Sequence, residues 1–336
     1  MDIPRWRRNA ASLALAVLAG CAKQTPVADA GAVLTRVVLQ TNWYAEPEYG
    51  GYYQALAKGY FREEGLDVSI AQGGPGAFPV QKVAAGQVQF AVARSDDLIM
   101  AARQGLPVLI VAAQLEHDPQ VVVLHAESPV KGFQDLDGRS VMVEPGSAWI
   151  SYVERKFSIH IKVIPENYEN AGFLADKGFI EQGFLTAEPY VFSQLNVPTR
   201  TLLVADSGYD PYRALFCNRA FAAANPEVVK AFIRASLRGW KDYLSGDPGP
   251  GNRLITLDHA ESTPDLLAYG WRELRRAHIV DGDPSKGESL CLVTRRRLAS
   301  QIATMRDLGL VAGDLDVGRV ASFDYLPEDL RKLAEE

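Results

Sequence analysis

The stretch from Asn42 to Gly74 limits this chain to few folds, because it reads without a break as strand, loop, helix, strand, loop. Val37, Val38 and Leu39 form an apolar, β-branched run suited to a buried strand. That run stops at Thr41-Asn42, and Trp43, Tyr44, Glu46, Glu48 and Tyr49 crowd the loop that follows. Gly50-Gly51 opens a helix carrying Tyr52, Ala55 and Leu56, and Gly59 suits its end. Leu66, Val68 and Ile70 alternate as a second strand, with Gln72-Gly73-Gly74-Pro75 beyond it. In an open parallel sheet, ligands sit outside the carboxyl ends of strands, where both clusters fall.

The stretch also resembles the amino-terminal signature of solute-binding proteins related to the fungal thiamine-pyrimidine synthase (the NMT1-like group). The alkanesulfonate, taurine and nitrate binders of ABC importers belong to the same broad set. The resemblance rests on Asn42-Trp43, Glu46, Gly50-Gly51, Tyr53, Ala55, Gly59, Gly65-Leu66-Asp67-Val68 and Gly73-Gly74-Pro75, and continues more weakly to about Pro226. It implies an α/β chain with the two-lobed, type II periplasmic-binding-protein fold and a ligand cleft between the lobes. It further implies an ABC permease and ATPase as partners, a small-molecule ligand, a monomer and no cofactor.

Further along, Val88, Phe90 and Val92 alternate as a third strand, and Ser95-Asp96 looks like the N-cap of the helix after it. Ser95 is equally a ligand contact, because a free amide at a helix start can bind a ligand oxygen. Val108–Ala113 is a fourth strand, ending at Gln114, and Val121–Leu124 a fifth. Composition changes there, and the layout repeats: strand Ser140–Val143, loop Gly146-Ser147, then an amphipathic segment from Ala148 to Phe157. Lys162–Pro165, Gln182–Leu185 and Thr201–Ala205 read as short strands. Thr186-Ala187-Glu188-Pro189 is similar to the family's T-x-E-P element; a carboxylate before proline in a first helical turn also has a purely structural reason. Tyr212–Phe216 returns the chain to the first lobe, and Asn225-Pro226 starts a long helix with Val229, Phe232, Ile233, Leu237, Trp240 and Leu244 on its apolar face. Gly246 to Gly251 is the strongest loop signal, and three further helices follow it. The expected organisation is residues 33–124 plus 214–336 for the first lobe and 125–213 for the second. Strands near Val121–His125 and Ala214–Cys217 are expected to act as the hinge.

The first twenty residues read as a signal peptide, with Arg5, Arg7 and Arg8 before an apolar run too short to span a membrane. Leu18-Ala19-Gly20-Cys21 resembles a bacterial lipobox, which would place a lipid on Cys21, leave residues 21–32 as a tether, and hold the protein on a membrane facing the periplasm.

A formal charge of −6 with no basic tract argues against a nucleic-acid partner. The five histidines are scattered, and no metal spacing, nucleophile elbow or phosphate loop is present. The fungal synthase of the resembled family uses a cysteine-rich CCCFC segment; Cys21, Cys217 and Cys291 lie far apart, which speaks against an enzyme. Spacing alone leaves a Cys217–Cys291 disulfide open. The candidate ligand-binding residues are Asn42, Trp43, Glu46, Tyr49, Gly50, Ser95, Gln114, Ser147, Glu188 and Tyr212. Aromatic rings with carboxylate acceptors favour a small planar heterocycle, such as a thiamine-precursor aminopyrimidine, over a sulfonate or nitrate. A ligand-sensing lipoprotein would use the same cleft.

Overall fold

The computed structural model describes residues 33–335. The segments expected to be a signal peptide and a tether, with Cys21, lie outside the described residues. The strands are β1 (Thr35–Gln40), β2 (Leu66–Ala71), β3 (Phe90–Arg94), β4 (Val108–Leu115), β5 (Gln120–His125), β6 (Ser140–Val143), β7 (Lys162–Pro165), β8 (Glu181–Phe184), β9 (Thr199–Leu203) and β10 (Arg213–Asn218). The helices up to the return of the chain are α1 (Gly50–Ala57), α2 (Tyr60–Glu63), α3 (Pro79–Ala84), α4 (Ser95–Arg103), α5 (Ala148–Phe157), α6 (Ala171–Ala175) and α7 (Glu188–Gln194). After β10 come α8 (Arg219–Ala224), α9 (Pro226–Ser245), α10 (Gly249–Asp258), α11 (Pro264–Arg276), α12 (Arg295–Asp307) and α13 (Glu328–Glu335).

The strands form two sheets, ordered β2-β1-β3-β10-β4 and β7-β6-β8-β5-β9. The two orders correspond position by position. In each, the fourth strand is antiparallel to both neighbours and has just arrived from the other sheet: β10 lies between β3 and β4, and β5 between β8 and β9. The sheets are therefore mixed rather than purely parallel. The boundary expected after Leu124 does not hold, because all of β5 pairs within the second sheet. The expected hinge strands are likewise interior strands, held by ladder bonds on both sides. The passages between sheets are shorter, at Glu116–Pro119 and Gly208–Tyr212.

One apolar core joins the first sheet to α1, α9 and the later helices, and two smaller clusters fill the second sheet's faces. Helices α1 and α9 approach closely through glycine: a Cβ on Gly239 would lie 2.2 Å from the Gly51 carbonyl oxygen. The glycine-proline run at Gly246–Gly251 is only half a loop. Asp247 Oδ1 accepts from the Gly249 amide at 2.9 Å and starts α10, and proline is tolerated in a first turn.

Candidate functional site

Loops beyond the strand ends of both sheets enclose a cavity of about 590 Å³. On the first-sheet side, Thr41 Oγ1 donates to the Trp43 carbonyl at 2.6 Å and accepts from the Gly73 amide at 2.9 Å, which ties the loop after β1 to the loop after β2. Gly73 is required there, since a Cβ would sit 2.5 Å from the Thr41 carbonyl oxygen. The bracing presents Asn42, Trp43 and Glu46 to the cavity. The Trp43 ring meets Tyr168, from the second-sheet side, at a centroid distance of 5.1 Å. Glu46 precedes the short 3-10 turn Pro47–Tyr49.

On the second-sheet side, β8 and the start of α7 supply Glu181, Phe184 and Glu188. Glu188 accepts from the Phe184 amide, so its carboxylate is aimed by its own turn. Burial, reinforced by Glu48 and Glu166, pushes the Glu188 pKa up to about 7. Burial raises Glu46 well above the usual carboxylate range, with Glu48 and Glu188 adding like charge. Two arginines also line the cavity, and each is paired with an acid, although the Arg213 Nε takes no hydrogen bond among the described residues. Arg94 lies 3.6 Å from Asp96, 3.2 Å from Asp97 and 3.4 Å from Glu144. Arg213 lies 3.2 Å from Asp118, with its guanidinium 5.1 Å from the Phe184 ring centre. The walls are thus rich in carboxyl groups, several of them favouring the protonated form, and poor in free cations.

Of the candidate residues, Asn42, Trp43, Glu46 and Glu188 share this cavity. Tyr49 and Gln114 face a recess of about 20 Å³ beside it. Tyr49 acts mainly as a brace: its hydroxyl donates to Asn42 Oδ1 at 2.9 Å and accepts from the Trp43 amide at 3.1 Å. Gln114 Nε2 donates to the Glu48 carbonyl at 2.7 Å.

The other four candidates line neither the cavity nor the recess. Gly50 is packed under Tyr243, where a Cβ would lie 2.2 Å from the ring. Ser95 donates to Gln301 Oε1 at 2.7 Å and is the first residue of α4; Arg94 occupies the N-cap position, without a side-chain cap. Asp96 is not at the N-cap position, but its Oδ1 accepts from the first-turn amide of Asp97 at 3.0 Å while Oδ2 accepts from Tyr209 at 2.6 Å. Ser147 donates to the Glu144 carbonyl at 2.7 Å. Tyr212 points away, with Arg297 3.9 Å from its ring centre. Its neighbour Arg213 faces the cavity instead, because successive strand residues point to opposite faces. The sequence reading missed Arg213, Glu181, Phe184 and Tyr168. A charged residue opening a short buried strand was the available signal for Glu181.

The profile of the family described as NMT1/THI5 like matches residues 46–248, more than half of the chain. The chain belongs to that family. Among relatives within reach of the NMT1/THI5 like proteins is the riboflavin-binding protein RibY of Chloroflexus aurantiacus, 26% identical over 256 residues, covering 69% of this chain and 72% of the relative. The formylaminopyrimidine-binding protein of Halalkalibacterium halodurans is 28% identical over 260 residues, covering 73% and 77%. A 4-amino-5-hydroxymethyl-2-methylpyrimidine phosphate synthase of Saccharomyces cerevisiae, THI13, is 23% identical over 65% of this chain and 73% of its own. Among solved structures, the periplasmic aliphatic sulphonate binding protein SsuA of Escherichia coli superposes with a TM-score of 0.62 at 13% identity, covering 85% of this chain and 97% of that one. The fold is that of the periplasmic binding proteins.

Proposed function

We propose that this protein is the solute-binding component of an ABC importer, exported, lipid-anchored at Cys21, and specific for a small planar nitrogen heterocycle of the aminopyrimidine class. One observation carries the ligand class: a cavity walled by Trp43, Tyr168, Glu46 and Glu188 whose two arginines are already paired with acids. A planar ring gains from aromatic faces, and ring amines donate to carboxylates. A sulfonate or nitrate would be desolvated beside several carboxyl groups with no free cation to compensate. The relatives named for pyrimidine and riboflavin binding support the same chemistry.

We read it as a binding protein rather than a synthase. Neither a cysteine nor a histidine is among the residues found lining the cavity, and both described cysteines are buried elsewhere. Replacing Cys21 with serine should release soluble protein outside the cytoplasm without changing ligand affinity.

Calorimetry of the folded protein against 4-aminopyrimidines, thiamine, riboflavin, taurine and nitrate tests the reading. An aminopyrimidine is expected to bind, and Glu188→Gln to weaken it by about 1.5–3 kcal/mol, the scale of a charge-assisted hydrogen bond. Tight binding of taurine, or of nitrate, would overturn the assignment.

A further inference from the structure

We infer that Glu181 sets the charge class of the ligand, taking a cationic nitrogen and giving up its own proton when that nitrogen binds. The inference rests on the aminopyrimidine reading above and narrows it to ligands carrying a positive charge.

Glu181 opens β8 in the middle of the second sheet, paired with Val123 of β5 and Met142 of β6, so its backbone is fixed. The residue is 3% exposed and lines the cavity, yet Oε2 takes no hydrogen bond among the described residues. A buried carboxyl without a partner is costly when ionised and holds a proton instead. Its charged surroundings strengthen that outcome. Glu188 comes from α7, Glu166 from beyond β7, Glu144 from beyond β6 and Glu46 from the loop after β1. The two arginines on the walls are engaged by Asp96, Asp97, Glu144 and Asp118. Burial, with Glu188 and Glu166 adding to it, pushes the Glu181 pKa up to about 8. Near neutral pH the empty cleft therefore holds Glu181 as the acid.

An ammonium or protonated ring nitrogen brings the counter-charge that the walls lack. The O–H bond of Glu181 then breaks, the proton leaves to solvent, and a carboxylate–cation pair remains. A neutral ligand of the same shape obtains one ordinary hydrogen bond and releases nothing.

The test compares 4-amino-5-aminomethyl-2-methylpyrimidine, an ammonium ion at pH 7, with its 5-hydroxymethyl counterpart, which has the same ring and nearly the same size. Calorimetry of the full chain in phosphate and in Tris reads affinity and proton release together. The aminomethyl compound should bind about 30-fold more tightly, the scale of a charge-assisted over a neutral hydrogen bond, and release about one proton. In Glu181→Gln the two affinities should converge and the proton release disappear, while the hydroxymethyl compound, still bound, shows that the fold is intact. Equal affinities in the unmodified protein, or a preference or proton release that survives Glu181→Gln, would overturn this inference and leave the pyrimidine reading standing. If neither compound binds, both fall.

Discussion

The imidazole of His117 stands 2.6 Å from the carboxylate of Asp210, and the two residues lie on different passages between the sheets. Its other nitrogen is 3.1 Å from Glu288, while Arg297 reaches Glu116 at 2.7 Å and Asp210 at 3.0 Å. The cluster joins both passages to α12.

Burial pulls the His117 pKa down, but the hydrogen bond and charge of Asp210, with Glu288, outweigh it and leave it above the usual histidine value. Such a group stabilises fully below the unfolded value near 6.5, and that contribution is lost as pH rises through the folded one. Burial also lifts Glu116 to about 8, so its fold-favoured proton is lost over the same rise. Stability should therefore fall between pH 6 and pH 9. His117→Gln should cost about 1–3 kcal/mol at pH 6 and clearly less at pH 9. Urea unfolding at the two pH values decides it, and an equal loss at both would refute the role.

The contact between α1 and α9 leaves no room at Gly239, where a Cβ would also meet the Ala55 Cβ at 2.7 Å. Gly239→Ala should lower stability by about 1–3 kcal/mol through overpacking, despite alanine's better helix propensity. A gain in denaturant midpoint would show that the helices part without cost.

Tyr168 reaches across to Trp43 from the second-sheet side and is half exposed. Tyr168→Ala should weaken a bound heterocycle by about 0.5–1.5 kcal/mol, mainly through faster dissociation, and Tyr168→Phe should not. Stopped-flow displacement separates the two variants.

Cys217 and Cys291 are both buried and free, which closes the disulfide possibility that spacing left open. Burial pushes each thiol up to about 12. Alkylation at pH 8 should therefore leave both unmodified in the native protein and label both in denaturant without reductant. Labelling that required reductant would contradict the structure.

Local pattern carried much of this molecule. Alternation and turn residues placed β6, β7 and α5 at their observed bounds, and the Asn42–Gly74 motif placed Asn42, Trp43 and Glu46 on one loop. Those assignments depend on neighbours in sequence, through side-chain period, glycine and proline. The phase of a buried strand does not. Tyr212 and Arg213 are both compatible with facing a cleft, and only the seating of Arg297, from α12, on the Tyr212 ring settles that Tyr212 turns away and Arg213 turns in. The membership of β5 is likewise decided by which sheet offers it two open edges. The sequence alone determined the family, the layout of elements and the acidic, aromatic character of the first loop. The tertiary structure alone decided which charges meet in the cavity and which are already paired, because burial and pairing are properties of residues far apart in the chain.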